Sequence, residues 1–174
     1  MKPTCIVMVG LPATGKSTLV NQVIRNMGDH GDRVFVYSTD DLLEAAAKEL
    51  GSTYDEVFET LIKSVTEAAN GSLDVAIRNR QDIVWDQTNL GAKKRTKIIN
   101  RMRQAGYRIE CECILLPAGD SQFEDWRWRM QSRQGKTIPD SVIGSMMDSF
   151  VMPTVDEGFD AVRYYDMYGN RILG

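Results

Sequence analysis

The 174-residue sequence has no long apolar run, and it has few cysteines and histidines. Its longest stretches without charge, such as residues 5–15, hold too few apolar side chains to cross a bilayer. Cys5, Cys111 and Cys113 lie in apolar, strand-like segments, so we expect buried thiols in a reducing cytoplasm rather than a disulfide framework. With one histidine and no second cysteine pair, a tetrahedral zinc site is not expected.

Composition predicts one globular domain over residues 1–174, because 43% hydrophobic and 26% charged residues suit a single core and no linker or repeat interrupts it. No signal peptide, transit peptide or membrane anchor is recognisable, which favours a cytoplasmic protein without a membrane partner. The net charge of −3 argues against binding nucleic acid by bulk electrostatics. The basic residues nevertheless cluster in two runs, Lys93, Lys94, Arg95, Lys97, Arg101, Arg103 and Arg108, then Arg127, Arg129, Arg133 and Lys136. For the first run, a solvated helix face is favoured over a substrate contact.

Short apolar runs alternate with segments of helical periodicity. The pattern predicts strands at residues 4–9, 34–37, 83–85 and 109–116, and helices at 16–27, 41–50, 54–79, 92–104 and 121–132. It indicates an α/β fold of three layers around a central, mostly parallel sheet. Ligands in such sheets bind beyond the carboxyl ends of the strands, where Gly10, Asp40 and Asp86 fall. A terminal hairpin is expected with its turn near residues 168–170.

Residues 10–18 read Gly-Leu-Pro-Ala-Thr-Gly-Lys-Ser-Thr and form a P-loop pattern between an apolar strand and a helix. The glycines permit a tight turn, so that backbone N–H groups face the phosphates of ATP. Lys16 supplies a positive charge to the β- and γ-phosphates, and the Ser17 hydroxyl can ligate magnesium. The predicted nucleotide-binding residues of the loop are Gly10, Ala13, Thr14, Gly15, Lys16, Ser17 and Thr18.

The sequence indicates the molecule that accepts the phosphate less directly than it indicates the nucleotide site. The guanine-reading sequence Asn-Lys-x-Asp of switch GTPases is absent. Asp40 ends the second predicted strand, where a carboxylate can accept the proton of an attacking hydroxyl. Asp41 is better explained as an acidic first-turn residue of the following helix.

The chain resembles the polynucleotide 5′-hydroxyl kinases, in both the phage end-healing enzyme and its animal counterpart. Beside the P-loop, the resemblance rests on residues 38–41 (Ser-Thr-Asp-Asp), 85–89 (Trp-Asp-Gln-Thr-Asn) and the basic lid at 129–139. Residues 150–159 match the F-x-x-P-T-x-x-E-G-F stretch of the animal kinase module. The resemblance covers almost the whole chain, and it implies a P-loop kinase fold with a helical arginine lid at about residues 119–138.

That resemblance implies transfer of the γ-phosphate of ATP to the 5′-hydroxyl end of DNA or RNA. Asp40 would be the general base, Lys16 a catalytic cation, and Arg133 the lid cation at the transition state. A planar guanidinium also suits phosphate oxygens on chemical grounds. Arg129 is assigned to the nucleotide site. Asp86, Thr88 and Asn89 are assigned to the acceptor, although Asn89 is equally well explained as a helix cap.

Two departures from the family pattern keep alternatives open. Leu43 stands where phage-type enzymes have an arginine that holds a substrate phosphate, and Gln87 stands where they have an acid. The alternative function is that of a zeta-toxin-like or small-metabolite P-loop kinase acting on another small hydroxyl acceptor. A non-catalytic nucleotide-binding module is disfavoured by the intact catalytic set. A homo-oligomer and the choice between DNA and RNA stay open.

Overall fold

The computed structural model describes residues 2–27 and 33–172, whose strands form one six-stranded sheet. The strands are β1 (Thr4–Val9), β2 (Phe35–Tyr37), β3 (Ile83–Trp85), β4 (Arg108–Ile114), β5 (Ala161–Tyr165) and β6 (Arg171–Ile172). Their order across the sheet is β2-β3-β1-β4-β5-β6. All neighbours pair in parallel except β5 and β6, which form the antiparallel hairpin that the sequence predicts. The predicted α/β class with a mostly parallel sheet is confirmed.

Six α-helices connect and cover these strands. They are α1 (Lys16–Asn26), α2 (Thr39–Leu50), α3 (Tyr54–Arg78), α4 (Ala92–Gln104), α5 (Gly119–Gln131) and α6 (Asp140–Asp148). The five predicted helices are present within two residues of their expected ends. Helix α6 and strand β5 were not predicted as separate elements. Helix α6 is only nine residues long, contains Gly144 and has no buried residue, although Ile143, Met146 and Met147 pack partly against the core.

Helices pack on both faces of the sheet, because the central strands are buried along almost their whole length. One core cluster includes Ile83, Ile109 and Met102, and another on the second face includes Met8, Leu19 and Trp126. The three cysteines are free and buried, as predicted, and burial raises the pKa of the Cys113 thiol to about 12. Within the described residues, no helix has both the length and the apolar character needed to cross a bilayer.

The start of α2 fixes the position of Asp40. Ser38 is the N-cap, and its Oγ accepts a hydrogen bond from the Asp41 N–H at 3.1 Å. The helix therefore begins two residues before the predicted Asp41. This places Asp40 in the first turn, directly beyond the carboxyl end of β2, with Asp41 beside it as expected.

The prediction that the first basic run is a solvated face is wrong for Arg95. Its side chain is fully buried and forms a bidentate pair with Glu157, at 2.6 and 2.8 Å. Its Nη1 also donates to the carbonyls of Asn89 and Leu90, at 3.0 and 2.6 Å. Arg95 falls on the buried stripe of α4 because Ile98 follows it at helical spacing. The residues 150–159 thus hold the β3–α4 loop in place from the side of the core.

Candidate functional site

The P-loop connects the carboxyl end of β1 to the start of α1. Gly15 caps α1 with a left-handed φ of 99°, which glycine adopts without strain, and Ala13 also has a positive φ of 60°. Alternating left- and right-handed backbone makes a concave set of N–H donors that suits an anion. The Thr14 hydroxyl donates to Leu11 O at 2.7 Å and closes the loop. The loop has the expected geometry for holding phosphates.

Lys16 lies at the centre of this cleft. Its Nζ donates to Leu11 O at 2.9 Å, so the ammonium is held within the P-loop. Burial lowers the pKa of Lys16 to about 8, and the nearby carboxylates of Asp86 and Asp40 partly oppose this effect. An arriving polyphosphate would supply the negative charge that the buried ammonium needs. Ser17 and Thr18 are exposed and line the same cleft, which has a volume of about 410 Å³.

Asp40 lies on the opposite wall of the cleft and has a donor on each carboxylate oxygen. The Tyr54 hydroxyl donates to Oδ1 at 2.8 Å, and Lys136 Nζ donates to Oδ2 at 2.8 Å. Desolvation raises the pKa of Asp40, but the hydrogen bond and charge of Lys136, with the bond from Tyr54, outweigh it and leave the pKa below its ordinary value. The carboxylate is therefore ionised near neutral pH. It is also 57% exposed, so a hydroxyl can reach it.

Lys136 is a site residue of the second basic run to which the sequence assigned no role. It follows the lid helix α5, and only 7% of its surface is exposed. Its Nζ contacts Glu44 Oε1 at 3.0 Å and lies 4.0 Å from the centre of the Tyr54 ring, in addition to its contact with Asp40. Burial and the bond to Asp40 raise the pKa of Tyr54, so its hydroxyl stays a donor. No local sequence pattern marks Lys136, because Asp40 lies 96 residues away in the chain.

The helical lid expected at about residues 119–138 is helical only in its first part. Helix α5 ends at Gln131, so Arg133 belongs to the connection between α5 and α6. Its Nη2 lies 4.0 Å from Glu44 Oε1, at the mouth of the cleft. Arg129 remains on the helix, donates to Met167 O at 3.0 Å and lies over the Tyr168 ring. The two arginines therefore reach different ends of the P-loop cleft.

The tryptophans of α5 have opposite environments. Trp126 is buried, and its Nε1 donates to Pro12 O at 2.8 Å, which links the lid to the P-loop. Trp128, two residues later, is 69% exposed. The contact of Trp126 fixes the distance between the lid and the phosphate site.

The loop after β3 contributes Asp86 and Thr88 to the site, but not Asn89. Asp86 and Thr88 line the P-loop cleft. Burial raises the pKa of Asp86, although the charge of Lys16 opposes it. Asn89 is fully buried, and its Nδ2 donates to Met8 O at 2.8 Å. Gly91 caps α4, so Asn89 neither caps that helix nor lines the cleft. Its side chain instead ties the loop to β1.

A second cleft of about 580 Å³ adjoins the first. Both are lined by Asp40, Asp86, Thr88, Arg133 and Lys136. The second cleft continues between α3 and α6, where Tyr54, Phe58, Ile62, Val142 and Met146 supply aromatic and apolar surface and Lys94 supplies a cation. The Tyr54 and Phe58 rings are tilted at a centroid distance of 5.6 Å. The two clefts thus meet at the Asp40 carboxylate.

Leu43 explains one departure from the phage-type pattern. It is fully buried and packs with Ala47 and Val57 between α2 and α3. A side chain at this position therefore faces the core, and the cations nearest to Asp40 come from elsewhere in the chain.

Comparisons with known proteins agree with this geometry. A curated bifunctional polynucleotide phosphatase/kinase of Schizosaccharomyces pombe is 24% identical over 159 residues, which cover 91% of this chain. The chain spans about a third (32%) of the length of that relative. The resemblance to polynucleotide kinases drawn from the sequence is confirmed by this similarity.

Solved structures share the fold at low sequence identity. A structure of the PezAT toxin–antitoxin system of Streptococcus pneumoniae has a TM-score of 0.66 at 13% identity, covering 99% of this chain and 70% of that one. A structure of the Pnkp1/Rnl/Hen1 RNA repair complex has a TM-score of 0.60 at 22% identity, covering 85% and 44%. A fungal RNA kinase has a TM-score of 0.51 at 15% identity, covering 93% and 73%.

A sequence model of the AAA domain family AAA_33 matches residues 5–153, which contain the P-loop, Asp40, Asp86 and the lid. The chain therefore belongs to the AAA_33 family of AAA domains, and its fold is that of a P-loop kinase.

Proposed function

We propose that this chain is a polynucleotide 5′-hydroxyl kinase that transfers the γ-phosphate of ATP to the 5′ end of DNA or RNA. The observation that carries the proposal is the junction of the two clefts at Asp40, Arg133 and Lys136. The P-loop side suits a triphosphate, and the other side suits an organic hydroxyl acceptor. A carboxylate at their junction is where a proton acceptor is needed.

In this mechanism, the acceptor hydroxyl oxygen forms a bond to the γ-phosphorus as the bond from phosphorus to the β,γ-bridging oxygen breaks. Asp40 accepts the hydroxyl proton, and ADP leaves. Arg133 offers a guanidinium to the charge that spreads over the transferring group, and Lys16 contacts the β- and γ-phosphates. Tyr54 and Lys136 each donate to one carboxylate oxygen of Asp40 and so orient this group at the wall of the acceptor cleft.

The oxygen groups of the P-loop cleft suit Mg²⁺, which is bound with few protein ligands beside phosphates and water. The Ser17 hydroxyl and the Asp86 carboxylate line the same cleft and would hold the ion. When bound, magnesium neutralises charge on the β- and γ-phosphate oxygens. Within residues 2–27 and 33–172, no group of three or more His, Cys, Asp and Glu side chains is placed to hold a metal by itself. This agrees with an ion that is held largely by the nucleotide.

A nucleoside acceptor is supported by the shape of the second cleft. Phe58 is 39% exposed, a large fraction for a phenylalanine, and it lies beside Tyr54 on the wall of the cleft. Exposed aromatic faces stack on nucleobases with little dependence on their sequence. The similarity to a polynucleotide phosphatase/kinase and to RNA kinase structures supports the same acceptor class.

The proposal is tested by offering γ-labelled ATP and magnesium with three kinds of acceptor. These are a 5′-hydroxyl oligonucleotide, the same oligonucleotide with a 5′-phosphate, and a panel of sugars and mononucleotides. We expect label only on acceptors with a free 5′-hydroxyl. Label on a sugar or sugar nucleotide, with the oligonucleotides unlabelled, would show instead a small-metabolite kinase with the same fold and ATP site.

Asp40→Asn tests the assignment of the base. General base catalysis contributes factors of about 10² to 10⁴, so kcat should fall by that order while ATP binding is retained. Asp41→Asn is the matched control, since Asp41 is the adjacent, exposed carboxylate of the same helical turn. Equal losses in the two variants would contradict a specific role for Asp40.

A further inference from the structure

Three lysines of α4 extend the acceptor cleft onto the protein surface. Lys94 lines the cleft together with Phe58 and Ile62 of α3. Lys97 lies one turn further along α4, and Lys93 is its neighbour at i−4. All three lysines are exposed. They therefore form a continuous basic strip, which we call the α4 strip (Lys93, Lys94 and Lys97).

No carboxylate of the described residues forms an ion pair with the α4 strip. Among the ion pairs of residues 2–27 and 33–172, none involves Lys93, Lys94 or Lys97. The later arginines of the same helix are paired, Arg101 with Asp74 at 2.7 Å and Arg103 with Asp160 at 3.0 Å. The uncompensated charge is thus confined to the half of α4 that borders the cleft.

The placement of these lysines opposes local helix electrostatics. Cations are unfavourable in the first turns of a helix, where the helix dipole is positive, and acids are preferred there. Helix α4 has no acid in its first turn, and its N-cap Gly91 provides no side-chain cap. Local sequence choices that disagree with the structure around them point to a function. A polyanion bound to the strip would remove the conflict.

The direction of the strip is set by its two ends. Lys94 shares the cleft with Phe58 and Ile62, and Arg101, two turns later, contacts Asn70 and Asp74 of α3. The α4 strip therefore follows the boundary between α3 and α4 for about 6 Å of helix axis, from Lys93 to Lys97. Asp55 and Glu59 of α3, which also line the cleft, are acidic. A chain of phosphates would leave the cleft toward α4 and away from these acids.

We propose that the α4 strip binds the backbone phosphates of the acceptor strand, on the 3′ side of the nucleotide that receives the phosphate. This inference rests on the proposed function. It assigns the strip to strand binding, and it places neither Lys93 nor Lys97 in contact with the reacting atoms. The strip should therefore distinguish long acceptors from short ones.

The test compares Lys93→Ala/Lys97→Ala with Lys48→Ala/Lys63→Ala, a control that removes the same charge from exposed positions on α2 and α3. The acceptors are a 5′-hydroxyl dinucleotide and a single strand of about 12 nucleotides, within the site sizes of single-strand binders. Steady-state kinetics and fluorescence anisotropy of 3′-labelled strands are measured across a salt titration.

The strip variant should raise KM and Kd for the long strand by about tenfold and leave its kcat and the dinucleotide KM unchanged. In a plot of the logarithm of the binding constant against the logarithm of the salt concentration, the magnitude of the slope should decrease by about 1.4. Each phosphate contact on a single strand contributes about 0.7, and two lysines are removed. If the strip and control variants have equal KM and Kd for the long strand while the native protein phosphorylates 5′ ends, the role of the α4 strip is overturned and the proposed function stands. A native protein that neither binds nor phosphorylates the strands would overturn both proposals.

Discussion

Lys136 Nζ lies 2.8 Å from Asp40 Oδ2, although the two residues belong to the lid and to the start of α2. Because of this contact, the pKa of the proposed base depends on the position of the lid. Whenever the lid adopts this arrangement, the carboxylate has an ammonium on one oxygen and the Tyr54 hydroxyl on the other. The orientation of the proposed base therefore depends on the position of the lid, because Lys136 belongs to the lid.

Lys136→Met should move the acid limb of the pH profile of kcat/KM to higher pH. The native contact lowers the pKa of Asp40, so the base is ionised down to a lower pH than an ordinary aspartate. Without Lys136, desolvation raises that pKa and activity is lost earlier as the pH falls. The plateau should also drop by about tenfold, because the carboxylate is less well oriented.

Two further variants make this result specific. Gln134→Ala alters an exposed lid residue near Lys136 and should leave the acid limb in place. Lys136→Arg keeps the charge and should restore most of the native limb. A lower plateau with an unmoved limb in Lys136→Met would mean that Lys136 only supports the lid.

ATP binding should take up protons above about pH 8. The pKa of Lys16 is lowered to about 8 in the free protein, and bound phosphates favour its charged form. Below that pH the lysine is already protonated and little uptake is expected. Calorimetric titrations in buffers of different ionisation enthalpy measure the uptake directly. The Lys16→Arg side chain stays charged at every pH used, so this variant should show no pH dependence of proton uptake. A native protein that takes up no protons on binding ATP at about pH 9 would contradict the prediction.

Arg133→Ala and Arg129→Ala should have different kinetic effects. Arg133 lines both the P-loop cleft and the acceptor cleft, whereas Arg129 lines only the first and contacts Met167 O. Loss of a transition-state arginine lowers kcat by a factor on the order of 10³. We therefore expect a large fall in kcat for Arg133→Ala and mainly a higher KM for ATP for Arg129→Ala. Arg127→Ala, on the same lid, is the control, and identical profiles for Arg129 and Arg133 would refute the division.

The features that could be predicted from the sequence are those that depend on residues close together in the chain. The P-loop is recognisable because glycine spacing, strand and helix lie within a few residues of one another. Asp40 and Asp86 were found because the carboxyl ends of parallel strands meet at one edge of the sheet. The contact of Lys136 with Asp40 depends on how the lid packs over the sheet. The hydrophobic periodicity of the sequence does not indicate that packing.

The burial of Arg95 could have been predicted from its position in the helix, although its charge suggested exposure. It stands at helical spacing from Ile98, Ile99 and Met102, which form the buried stripe of α4. A cation on an apolar stripe requires a buried acid, and Glu157 of the 150–159 segment is that acid. Part of the similarity to animal polynucleotide kinases therefore lies in a structural contact behind the site.

Glu157→Gln should destabilise the protein by about 3 kcal/mol, because it leaves the buried Arg95 guanidinium without its countercharge. Arg95 is fully buried and Glu157 only 14% exposed, so water cannot compensate. Urea denaturation measures the change, and the exposed neighbour Asp156→Asn should cost less than about 0.5 kcal/mol. Because Arg95 also holds the carbonyls of Asn89 and Leu90, the KM for the acceptor should rise more than the KM for ATP. Native stability in Glu157→Gln would mean that the Arg95 pair contributes little to the fold.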